Sequence, residues 1–236
     1  MNLLTLDQIK TKLKYDTDIF DGDFIELDTE LLGYINEAID DAEALIHNLY
    51  EDYFLTSSTI SLVSGTSEYS LPTDIFGAKL RAVHYSNGTK KYELKRIKRL
   101  SDTLFLTDAT DDYQYVLVNA ANTAATGSFK LKIYPQPSES VTNGITLWYI
   151  RNAKRLSAAS DYCDIPEFIN FIFAHVRWNI ARKEKGRIDL SVVDAQLKQQ
   201  KELLEATLSD MAPTEDSNEI RADLSFYSEF DSMEVY

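Results

Sequence analysis

The sequence is poor in cysteine, proline and glycine, with one, five and eight respectively among 236 residues. The lone Cys163 excludes an internal disulfide and a thiolate cage around a metal, and such cysteine usage fits a reducing cytoplasm. No stretch approaches the roughly 18 consecutive apolar residues of a membrane helix. The opening MNLLTLDQIK has no basic start followed by an apolar core, so it reads as carrying no secretion signal. Positive charge is also scarce: 24 lysines and arginines stand against 38 acids, for a net charge of −14. Affinity for nucleic acid comes largely from neutralising phosphates, and this balance argues against a chain whose main task is to grip it.

Catalytic signatures are missing too. No GxxxxGK[ST], GxGxxG or GxSxG occurs. His47, His84 and His175 do not form the i, i+4 pair of a helical zinc site and read as structural or surface residues. A thiol nucleophile would need Cys163 beside His175; neither lies in a recognisable local signature, and a buried apolar cysteine is the plainer reading. DTDIFDGD imitates a calcium loop, but with Asp16 first the fifth position is Phe20 and the glycine comes one place late at Gly22. It reads as a solvated acidic loop. Nothing among the acids marks a hydrolytic pair, and no cofactor or metal is implied.

What is present is a core. An apolar content of 44% with 11% aromatics suffices for a compact fold, which at this size buries roughly 70% of its unfolded surface. Thr5-Leu6-Asp7-Gln8 is a capping box opening a short helix, with Leu4 and Ile9 placed as a hydrophobic staple. Asp28 is the expected cap of a long amphipathic helix whose apolar stripe is Leu31, Ile35, Ile39, Ala42, Ile46, Leu49 and Tyr53. Beyond residue 56 the period becomes two, and six or seven short strands are expected. Ser64 to Ser67 reads as a first hairpin turn, Leu71-Pro72 as the end of its second strand, and Asn87-Gly88 as the tight turn of another hairpin. Phe129, Leu131 and Ile133 face one way on a later strand, with Lys130 and Lys132 opposite.

The helical period returns at Asp164-Ile165-Pro166-Glu167, read as an aspartate-capped start. A broad apolar face follows (Phe168, Ile169, Ile172, Phe173, Val176 and Ile180), with Gly186 as its stop. Ser191 is the expected cap of a last helix ended by Pro213. The predicted class is α+β: a bundle of four helices with an inserted antiparallel β-sandwich or barrel and an extended acidic C-terminal tail. The expected divisions are 1–56, 57–152, 153–211 and 212–236.

Three features are candidates for interaction. Lys90, Lys91, Lys95, Arg96, Lys98 and Arg99 make a basic segment, readable as a solvated strand face, a nucleic-acid patch or a contact for the acidic parts of a neighbouring copy. Val193, Leu197, Leu204 and Leu208 form a narrow stripe suited to an edge helix or to another chain. The tail combines seven acids with Phe226, Tyr227, Phe230 and Tyr236, which are either incidental to disorder or anchors for docking.

The stretches TELLGYINEAIDDAEALI, LVSGTSEYSLPTDI and ITLWYIRNAKRLSAASDYCDIPEFINFIFAHVRWNIARKEK resemble, in that order, the head-to-tail connector proteins of tailed bacteriophages. These are the adaptor or ring proteins beneath the portal, including the tail tubular type. The likeness runs from residue 28 to about 210 and is carried by Tyr69, Leu71, Pro72 and Asp74, then by Leu156, Ser157, Asp161, Ile165, Pro166 and Glu167. It implies a virion protein made in the host cytoplasm, without catalysis or a membrane partner. It also implies a ring, commonly of twelve copies, between the portal and the next tail or ring component, with double-stranded DNA passing unheld. In that family a terminal extension often grips the portal, a role open to residues 212–236.

Overall fold

The computed structural model describes residues 3–18, 26, 29–98, 112–119, 129–183 and 189–212. Helix α1 (Leu6–Thr17) starts where the sequence predicts. Thr5 Oγ1 accepts from the Gln8 N–H at 3.3 Å, and Gln8 Oε1 accepts from the Thr5 N–H at 2.9 Å. Two donors that a helix end leaves open are thus satisfied, and Leu6, Ile9 and Leu13 turn inward.

Helix α2 (Glu30–Leu49) buries Leu31, Ile35, Ile39, Ala42 and Ile46 from the predicted stripe, together with Ala38. The stripe ends sooner than expected. Tyr50 leaves helical geometry at φ −147° and ψ 78°, Leu49 is exposed, and Tyr53 lies in a separate 3₁₀ turn, Glu51–Phe54. The expected cap Asp28 lies outside the described residues; Thr29 holds the cap position without a side-chain bond to the helix.

Two further starts differ from expectation. Helix α3 (Ile169–Lys183) is entered through a 3₁₀ turn, Pro166–Phe168, that has no side-chain cap. Asp164 instead accepts from the Lys154 N–H at 3.1 Å and pairs with Arg151, so its charge is used on the chain leaving the sheet. Helix α4 (Leu190–Met211) is capped by Asp189, whose carboxylate accepts from the Ser191 N–H at 2.9 Å, and Ser191 is a donor to that cap. Gly186 and Pro213 lie outside the described residues. The four helices share one core with Phe54, Ile150 and the 153–168 segment.

Eight strands are described: β1 (Leu55–Leu62), β2 (Glu68–Ser70), β3 (Ile75–Ser86), β4 (Lys91–Glu93), β5 (Lys95–Arg96), β6 (Gln114–Asn119), β7 (Phe129–Tyr134) and β8 (Val141–Arg151). They form two open four-stranded sheets ordered β1-β8-β3-β4 and β2-β7-β6-β5. The barrel alternative therefore falls. The second sheet is also not wholly antiparallel, because β5 runs parallel to β6.

The expected first hairpin falls as well. A turn is present, with the Thr66 N–H on the Val63 carbonyl at 3.0 Å and Gly65 at φ 77°, but β1 pairs with β8 and β2 with β7. Local turn chemistry cannot distinguish a hairpin from a corner between sheets, and here it makes the corner. Strand β2 does stop just before Leu71-Pro72.

The β3–β4 hairpin forms as read, with Tyr85 opposite Tyr92, but its turn is displaced by one residue. The Asn87 N–H donates to the Lys90 carbonyl at 3.2 Å, so Gly88 and Thr89 are the central pair. Only Gly88 takes positive φ, at 85°, the arrangement with glycine in the first central position. Asn87 contributes its side chain instead, accepting from the N–H groups of Thr89 and Lys90.

One hydrophobic cluster joins both sheets: Val83, Tyr85, Ile145, Leu147 and Tyr149 from the first meet Tyr69, Tyr115, Leu131 and Ile133 from the second. Strand β8 serves two cores. Ile145, Leu147 and Tyr149 enter the sheet core, whereas Ile150 points the other way into the helical core and is fully buried there.

Candidate interaction surfaces

The basic segment sits on an edge strand of each sheet. Leu94 and Ile97 are buried at 2% and 6% exposure, and their N–H groups donate to the Val83 and Tyr115 carbonyls at 2.7 and 2.8 Å. These anchors fix the backbone and turn Lys90, Lys91, Lys95, Arg96 and Lys98 outward; all five are exposed. Among the described residues none of the five forms an ion pair. Arg99 lies outside the described residues, as do Phe226, Tyr227, Phe230 and Tyr236.

The predicted stripe on the last helix faces inward. Val193, Leu204 and Leu208 are at most 4% exposed, and Leu197 packs against the helical core. These side chains are used within the chain, as an edge helix requires, and the alternative that the stripe meets another chain is corrected. What α4 shows to solvent is the remainder of its surface, where Val192 and Leu203 are each 52% exposed. Sequence periodicity identified an apolar face here; it could not say which of two candidate partners covered it.

The histidines and the cysteine serve packing. His47 stacks on Phe76 with ring centroids 3.8 Å apart and an interplanar angle of 13°, and its Nε2 lies 3.3 Å from Glu43. His175 is buried with Nε2 2.9 Å from Asp41, while His84 lies on β3 opposite Glu93. Burial pushes the Cys163 thiol up to about 11, the opposite of what a nucleophile needs. Of the calcium-like loop, Asp16 pairs with Arg177, and residues 19–25 lie outside the described residues. Among the described residues no cluster of three or more histidine, cysteine or acidic side chains is placed to hold a metal, and no helix is long and apolar enough to cross a membrane.

The acids of the first two helices are met by cations from the second half of the chain. Arg177 pairs with Asp16, Lys183 with Glu30 and Arg155 with Asp40. At the joint between helices and sheet, Lys79 and Arg81 of β3 pair with Glu51 and Asp52 of the 3₁₀ turn. The Asn36 side chain both donates to the Leu156 carbonyl at 3.0 Å and accepts from its N–H at 2.9 Å. Tyr149 Oη donates to Asp74 at 2.9 Å, and the Asn152 N–H to the Asp74 carbonyl at 2.7 Å. A cavity of about 690 Å³ at this joint is lined in part by the Arg151–Asp164 and Arg155–Asp40 pairs, while Glu43 and Asp74 accept there from the Ala153 N–H and the Tyr149 hydroxyl.

Among the described residues the predicted site residues lie on surfaces and in packing contacts, and comparison with known proteins supplies the family. Residues 1–224 match the family described as SU10 adaptor protein. The chain belongs to that family. Among curated proteins none matches it. Membership makes this adaptor a structural virion component that works by contact with other head and tail parts. The match takes in all four helices and both sheets and stops before Phe226.

Proposed function

We propose that this adaptor assembles into a homo-oligomeric ring beneath the portal, without catalysis, joining phage head to tail and lining the passage for DNA. Its family membership carries the reading. The proteins it resembles commonly use twelve copies and pass the DNA on to a next tail or ring component. In this reading the helices, 1–56 and 153–211, form one bundle, the β-domain, 57–152, is a sandwich inserted into it, and 212–236 is an extension.

The charge suits a passage. Residues 1–56 and 153–211 together carry 23 acids against 12 bases, so the internal pairs leave a net negative surface. An acidic wall repels phosphates and lets DNA slide without being held. The test is native mass spectrometry and electron microscopy of the full chain mixed with purified portal. A closed ring on the portal is expected; a monomer that ignores the portal would contradict it.

A second reading rests on the five exposed cations of segment 90–98, with Arg99 beside them: a nucleic-acid or surface binding module. It requires DNA affinity that collapses with added salt and with charge reversal of those residues. Affinity indifferent to both would remove it.

A further inference from the structure

We infer that the cationic strand edge at residues 90–98 is the seat for the acidic, aromatic segment 213–236 of a second copy of this chain. The inference rests on the ring reading only for the presence of that neighbour.

The seat is rigid. Leu94 and Ile97 lock its backbone into the core, so the backbone that carries the cations needs no ordering on binding. Strands β4 and β5 are each the last of their sheet, and among the described residues nothing pairs with their outer sides. Lysines on an edge strand keep ordinary strands away. A strand rich in acids is the exception such an edge selects for, because it brings attraction where others bring only cost. Within 90–98 five cations face one acid, Glu93, while cations elsewhere, such as Arg81, Arg155, Arg177 and Lys183, have acidic partners in their own chain.

Segment 213–236 has the matching chemistry. It holds seven acids and one base in 24 residues, and fully extended it spans up to about 80 Å. Asp223, Glu229 and Asp231 alternate with Leu224, Phe226 and Phe230 at the period of a strand, so one side would carry charge and the other apolar surface. Duplex DNA would match the cations but must approach a chain of net charge −14, and it has no use for the apolar side. A second copy is chosen over the same one because a ring brings a neighbour's segment alongside this edge, and contact within one copy is the alternative that the heavy and light chains below separate. A contact between two different patches is head-to-tail, the kind that closes a ring.

The test uses full-length chains. Phe230→Cys is introduced, an isotopically heavy population is labelled there with a photoreactive benzophenone, and it is mixed with unlabelled light chains. Cys163 stays unlabelled because it is 1% exposed. Expected are cross-links from the heavy label to light-chain residues 90–98. They should fall at least about tenfold when the light chain carries Lys90, Lys91, Lys95, Arg96 and Lys98 changed to Glu, and also at 0.5 M salt. Any one of four results overturns the inference: cross-links confined to heavy chains' own residues, cross-links elsewhere, yields unaffected by charge reversal, or no cross-link while a duplex DNA fragment binds the cluster. Because all five positions are exposed, circular dichroism of the variant is expected to match the parent, and a Gln series at the same sites provides a second test. Rings imaged without the cross-link sink this inference alone, whereas the cross-link without rings sinks the ring reading alone.

Discussion

Replacing Asn36 with alanine tests how the segment leaving β8 is tied to α2. One side chain satisfies both backbone groups of Leu156, a residue 2% exposed, so water cannot take over when the amide is removed. Each stranded group costs about 1–3 kcal/mol. Alanine's better helix propensity returns about 0.5 kcal/mol. The net loss is then about 1.5–5.5 kcal/mol, which for a chain of this size, at about 2–4 °C per kcal/mol, lowers the melting temperature by about 3–22 °C. Urea and thermal unfolding followed by circular dichroism read both quantities. Asn48→Ala on the exposed side of the same helix should change stability by less than about 0.5 kcal/mol. If Asn36→Ala is as mild as Asn48→Ala, the segment is held by something other than that amide.

Ile150→Ala removes a fully buried side chain that β8 contributes to the helical core and should cost about 2–5 kcal/mol, measured by urea unfolding. Asp161 accepts from Lys154 Nζ and from the N–H groups of Ala158 and Ser157, in that order of influence, and they hold its carboxyl well below the usual range. Its contribution is therefore complete above the ordinary carboxylate range, about pH 4, and is lost as pH falls further; Asp161→Asn should flatten the acid limb of the stability profile. Burial and then the bond to Asp74 push the Tyr149 hydroxyl up to about 12. That stability is intact below about pH 10 and is lost as pH rises toward 12, so Tyr149→Phe should make the alkaline limb shallower.

Where a signal is local, the sequence was legible. Thr5 and Gln8 cap α1 as their spacing requires, and the Leu31 to Ile46 stripe is buried as its period requires. The misreadings came where the deciding partner is remote in sequence. Asp164 had the spacing of a cap but was claimed by Arg151 and Lys154, and the turn after β1 had hairpin chemistry although β8, some eighty residues later, took the pairing. The inward turn of Val193, Leu204 and Leu208 was hidden for the same reason, since a stripe shows that a face must be covered but not by what. The exposure of the cations at 90–98 could be read directly, because charged side chains on an edge strand have few places to go.

We propose that this adaptor acts as one of many copies around an axis. Cryo-electron microscopy of the virion neck tests it most directly. Expected is a closed ring of this chain against the portal, with its acidic helices toward the DNA. Density for isolated copies, or a ring whose channel is lined by the 90–98 cations, would contradict it.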